Sequence, residues 1–171
     1  MKKTNVKTLV MAALFLALAL VLPFLTGQIP EVGSMLCPMH IPVLLCGFLC
    51  GGPWGAAVGL AAPLLRSVLF GMPPMYPTAV CMSLELAVYG GFSGWMHERT
   101  RKIFPALLGA MLAGRLVWGT ARLICAGLDG SVFGLSAFWA GAVTTALPGI
   151  LVQLILIPVL VTALERHHRE T

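Results

Sequence analysis

Charge is what this chain has least of. Only 10% of its 171 residues are Asp, Glu, Lys or Arg, while 58% are hydrophobic and the mean hydropathy is +0.94. A soluble globule of this size cannot cover its surface with so few charges, so the bilayer is the expected solvent. Lysine never follows glycine, which removes the Gly-Lys-Ser/Thr turn that cradles nucleotide phosphates, and no ATP hydrolysis is expected of this chain. No His-Glu-x-x-His helix, Cys-x-x-Cys pair or Gly-x-Ser-x-Gly elbow occurs, which leaves metalloprotease, dithiol-redox and serine-hydrolase readings without support. Nor do the loops between the first and second, third and fourth, and fifth and sixth apolar runs, residues 26–38, 72–77 and 127–134, carry any Lys or Arg.

What is present are apolar runs of membrane-crossing length. They predict an all-α membrane protein, a six-transmembrane-helix bundle filling residues 1–171 as a single integral membrane domain, with spans at about 9–25, 39–51, 54–71, 78–96, 104–126 and 135–164. The second run is short for a crossing and is broken by Gly51-Gly52-Pro53. The sixth exceeds one bilayer thickness and is expected to tilt or break near Pro148 or Pro158. The first run follows Lys2, Lys3 and Lys7 as a signal peptide would, but it is too long and lacks a small-residue cleavage site.

The basic residues support this layout. Lys2, Lys3 and Lys7, then Arg99, Arg101 and Lys102, then Arg166 and Arg169 fall on one side of six spans, which places both termini in the cytoplasm. The pI near 9.2 therefore reflects a membrane edge, and nucleic-acid binding drops out. Trp54 and Trp95 fall at the inner boundary of this layout and Trp139 near the outer one, where indoles prefer to sit.

Against that background, four charges stand inside apolar segments: Arg66, Glu85, Arg115 and Arg122. A charge at such depth costs a few kcal/mol or more unless it faces a polar interior or a partner. Arg115, Trp118 and Arg122 lie at i, i+3 and i+7, so they form one helical stripe that must face inward. At the helical rise, Arg115 lies roughly 16 Å and Arg122 roughly 27 Å from the inner end of the fifth span. Glu85 comes within reach of Arg115, and Tyr89 follows one turn later on the same face. Three cations against one carboxylate favour an anionic ligand. The alternative is that Glu85 and Arg115 staple two helices while Arg66 and Arg122 snorkel outward.

The outer loops add a second group. His40 is expected either to cap the second helix or to hydrogen-bond a ligand, and Gln28 and Glu31 are expected lid contacts, with plain solvation as the alternative. Met35, Cys37, Met39 and His40, with Met72 and Met75, offer soft donors that would suit a soft-metal permease, although packing explains such residues equally well. A small integral membrane enzyme using Glu85 and His40 as acid and base is the remaining alternative. Ala13 and Ala17, four apart on the first helix, form a close-approach surface for another helix, inside the bundle or in a partner.

Taken together, the Ala13-x-x-x-Ala17 pair, the segment His40-Ile-Pro-Val-Leu-Leu-Cys-Gly-Phe-Leu-Cys-Gly-Gly-Pro-Trp-Gly-Ala and the stretch from Pro77 through Glu85-Leu-Ala-Val-Tyr-Gly-Gly-Phe-Ser-Gly resemble a substrate-binding component of the energy-coupling-factor vitamin transporters. The resemblance runs from about Val6 to Leu164. It implies a bacterial plasma-membrane protein that captures a vitamin or precursor from outside. Energy would come from a transmembrane coupling protein and two cytoplasmic ATPases that hydrolyse ATP, leaving no cofactor in this chain. Ala13 and Ala17 would then dock the coupling protein. The substrate contacts expected are Gln28, Glu31, His40, Arg66, Glu85, Tyr89, Arg115, Trp118 and Arg122. The cation excess points to a small carboxylate such as pantothenate rather than a cation such as thiamine.

Overall fold

Glycine and proline set the helix ends in the computed structural model, which describes residues 6–26, 37–130, 134, 138–141 and 146–170, the last six without their side chains. Helix α1 (Val6–Val21) passes into a 3-10 turn, Leu22–Thr26, at Pro23. Helix α2 (His40–Cys50) ends at Gly51, whose φ of 94° and extended ψ admit only glycine comfortably, and α3 (Gly52–Phe70) restarts at once with Pro53 in its first turn. Gly71, left-handed at φ 70°, closes α3 by donating its N–H to the Ser67 carbonyl at 3.0 Å. A short π-type segment, Met75–Ala79, leads into α4 (Val80–Thr100). Helix α5 (Ile103–Asp129) stops at left-handed Gly130, and α6 (Leu147–Glu170) carries Pro158 inside it.

Among the described residues every regular element is helical. Among the described residues, four stretches are long and apolar enough to cross a membrane: Val6–Leu25, Gly52–Phe70, Ile103–Asp129 and Leu147–Leu164. The break at Gly51 leaves α2 with 11 residues, about half a bilayer's length, as the sequence foretold. Helix α4 is long enough at 21 residues, but its Glu85, His97 and several glycines and serines lower its hydropathy. Its position explains that composition, because α4 packs on α2, α3 and α5. The fifth helix runs on to Asp129, so residues 127–129 are helical where a loop was expected. The expected sixth span, 135–164, is helical at residues 138–141 and again from Leu147, with residues 135–137 and 142–145 outside the described part.

The surface is inverted relative to a soluble protein. Leu14, Leu18, Leu65, Leu69, Leu112, Leu116, Ile155 and Val159 are exposed, whereas His40, Arg66, Ser83, Glu85, Ser93, His97 and Gln153 are buried. That is the arrangement a hydrocarbon solvent selects. One core joins Ala12, Phe15 and Ala19 of α1, Val43 and Leu44 of α2, Leu86 and Tyr89 of α4, Leu107 and Ala110 of α5 and Ile157 and Val161 of α6. Ala13 and Ala17 face outward from α1, away from that core, so they are not an internal packing surface.

Candidate functional site

Where α2, α4 and α5 meet, a buried carboxylate and a guanidinium come together. Glu85 on α4 is 2% exposed, and its Oε1 lies 3.0 Å from Nη1 of Arg115 on α5. A carboxylate at that depth is tolerable because the guanidinium compensates it, and breaking such a pair is far costlier than never having built it. His40, in the first turn of α2, puts Nε2 3.6 Å from the same carboxylate oxygen. Its ring stands edge-on to Tyr89 with centroids 5.0 Å apart.

Cys37 completes the group. It sits where the first loop re-enters the described structure, in a left-handed conformation at φ 48°, and its carbonyl accepts the His40 backbone N–H at 3.0 Å. Arg115 Nη2 donates to its sulfur at 3.8 Å. Burial pushes the Cys37 thiol above its usual range, and the adjacent guanidinium does not reverse this, so the group stays a neutral thiol. The guanidinium thus bridges α4 and the end of the first loop.

The polar groups remain incompletely satisfied. Both ring nitrogens of His40, Oε1 of Glu85 and Nε of Arg115 are buried with no hydrogen-bond partner among the described residues, the Glu85–Arg115 contact being an ion pair without hydrogen-bond alignment. Native interiors seldom leave so many buried polar atoms unmatched in one place. A water or a polar ligand supplies what is missing at such sites.

The expected residues divide into three locations. Glu85, Tyr89, Arg115 and His40 meet as one cluster. His40 does not cap α2: Met39 holds the N-cap position without a side-chain hydrogen bond, and the imidazole turns inward to Glu85 instead. Trp118, one turn beyond Arg115, lies across Phe138 at 6.3 Å between ring centroids and borders a small cluster of Cys81, Ala121 and Cys125. Arg122 is half-buried on the same helix. Gln28 and Glu31 lie outside the described residues.

Arg66 goes elsewhere. It is 3% exposed, its guanidinium lies 4.7 Å from the Phe24 ring centroid and 5.5 Å from that of Phe70, and Nη1 donates to the Leu20 carbonyl. The two rings pack edge to face at 5.0 Å. A cation beside the last carbonyls of α1 complements that helix dipole, and the ring faces replace part of the lost hydration. Arg66 therefore ties the end of α1 to the end of α3, a role its sequence position did not announce.

The soft-donor group is dispersed. Met39 belongs to the apolar core, Cys37 and His40 turn to Arg115 and Glu85, and Met35 lies outside the described residues. Among the described residues no three His, Cys, Asp or Glu side chains are grouped to hold a metal ion.

Comparison with known proteins agrees with the resemblance carried by the motifs. The sequence model of the family described as "ECF transporter, substrate-specific component" matches residues 7–161. This covers most of the chain, and the chain belongs to that family. No curated protein and no solved structure matches it.

Proposed function

We propose that this member of the substrate-specific components captures a small carboxylate-bearing vitamin or precursor, with pantothenate the best candidate, from outside a bacterial plasma membrane. In this reading the single domain, residues 1–171, crosses the membrane six times with both termini cytoplasmic. Import is driven by ATP hydrolysed on two cytoplasmic ATPase subunits and transmitted by a transmembrane coupling protein that docks on Ala13 and Ala17. The outward orientation of those two alanines supports the last step.

One observation carries the ligand reading: the unmatched buried polar atoms of His40, Glu85 and Arg115 at the junction of three helices. Arg115 offers planar, bidentate donors suited to a carboxylate, with Nε still unused. His40 supplies a hydrogen bond to a hydroxyl or amide, Tyr89 gives the imidazole an edge-on wall, and Trp118 offers a ring to stack on. Glu85 holds the guanidinium in place and meets any polar group of cargo that displaces it. Arg122 extends the cationic side of the same helix, Gln28 and Glu31 close from the first loop, and Arg66 acts from behind by anchoring the end of α1.

A thermal-shift screen of the purified protein against water-soluble vitamins tests this. Pantothenate at about 100 times its Kd is expected to stabilise the folded state by about 2.7 kcal/mol. Arg115→Ala is expected to abolish that gain. Stabilisation by thiamine or riboflavin with indifference to pantothenate overturns the carboxylate assignment. Loss of uptake in cells by Ala13→Leu, with the pantothenate melting shift unchanged, is the expected sign that the alanine face serves the coupling protein.

A further inference from the structure

Cys81 and Cys125 are not among the residues assigned to cargo or coupling, yet their sulfur atoms lie 3.6 Å apart, in van der Waals contact, across the interface of α4 and α5. Cys81 is 0% and Cys125 8% exposed. They belong to a small apolar cluster separate from the main core, bordered by Trp118. The Tyr76 hydroxyl, from the segment that precedes α4, reaches the Cys125 carbonyl at 3.4 Å. Cys81 stands one helical turn before Glu85 on α4, and Cys125 lies on the helix that carries Arg115 and Trp118. The two thiols thus sit at the seam between the two walls of the candidate site.

We propose that Cys81 and Cys125 form an oxidisable dithiol whose disulfide clamps the N-terminal end of α4 to the C-terminal end of α5. The oxidant is a hydroperoxide, small enough to reach a nearly closed site. Cys125, the less buried residue of the two, attacks a peroxide oxygen through its sulfur, breaking the O–O bond and becoming a sulfenic acid as one water leaves. The Cys81 sulfur then attacks the Cys125 sulfur, and the sulfenic oxygen departs as the second water. The two thiols lose two protons and two electrons in total, and these reduce hydrogen peroxide to two waters. The consequence for transport rests on the cargo reading above: with the clamp closed, the wall bearing Glu85 cannot move away from the wall bearing Arg115.

The test treats the full-length protein in detergent with hydrogen peroxide, quenches with an alkylating agent and reads intact mass and digested peptides. The expected result is a loss of two hydrogen atoms, a peptide joining Cys81 to Cys125, and a rise in melting temperature of several degrees that a reductant reverses. Both effects are expected to vanish in Cys125→Ala and, separately, in Cys81→Ala, so that poor folding of one variant leaves the other to decide. Oxygen addition without a bridged peptide, or a bridge that joins other cysteines instead, overturns the proposal. Because no cargo is needed for this readout, a bridged protein that still ignores pantothenate supports the dithiol and counts only against the carboxylate reading.

Discussion

Helix α4 meets its neighbours in two different ways. Toward α2 and α3 the contact is backbone on backbone: a Cβ on Gly47 or Gly55 would strike the Gly90 carbonyl, one on Gly59 would strike Leu86, and one on Gly94 would strike the start of α3. Toward α5 the glycines face rings instead, with Gly114 against Tyr89 and Gly109 against Phe92, and farther along α5 Gly119 lies against Phe138. A backbone cannot move aside without unwinding a helix, whereas a ring can turn about its side-chain bonds. The first seam is therefore a fixed frame and the second a wall able to yield. The buried polar cluster lies at the yielding side, as a site that must admit and release cargo requires.

The sharpest way to break this contrast is to add bulk to the frame. Gly90→Val is expected to exceed the about 1–3 kcal/mol typical of overpacking, because the new atoms meet the Gly55 backbone and not a side-chain tip. The measurement is the yield of monodisperse protein in detergent, and a variant that purifies and melts like the parent refutes the rigid-frame account. Next in size is Arg115→Ala, which strands Glu85 in the interior at an expected cost of about 3–5 kcal/mol. Glu85→Gln combined with Arg115→Gln is expected to recover part of that loss in thermal denaturation, since no bare charge remains. A double variant no better than Arg115→Ala denies that the pair's charge is what matters.

The same contrast explains what the sequence made legible. Glu85 and Arg115 announced themselves because charge is so rare in an apolar run that each must be accounted for, and helical spacing then put Tyr89 beside them. The break at Gly51 was readable from Gly-Gly-Pro alone. The role of Arg66 was not, because its partners Phe24 and Phe70 are ordinary apolar residues on separate elements, and only the folded chain brings both rings to one guanidinium. Cys37 was readable as a soft donor but not as the thiol that Arg115 meets, since that contact spans 78 positions. The Cys81–Cys125 approach was equally hidden: nothing in a separation of 44 residues marks two helices as neighbours. Local chemistry is written in spacing, whereas pairings between helices depend on how glycine seams set their distance.

Smaller changes on the α5 side sharpen the comparison. Gly114→Ala places a methyl against the Tyr89 ring, so an overpacking cost of about 1–3 kcal/mol is expected, together with a shift in cargo affinity, because Tyr89 is also the ring behind His40. Equal loss of stability with unchanged pantothenate binding would separate that ring from the site. Gly127→Ala, on the exposed last turn of the same helix, meets no atom within 4 Å. There only the backbone entropy of glycine counts, and alanine is expected to stabilise the helix by about 0.5–1 kcal/mol. A melting temperature that instead fell would mean the end of α5 is packed against something the described residues do not include, and the yielding wall would then be shorter than the ring contacts imply.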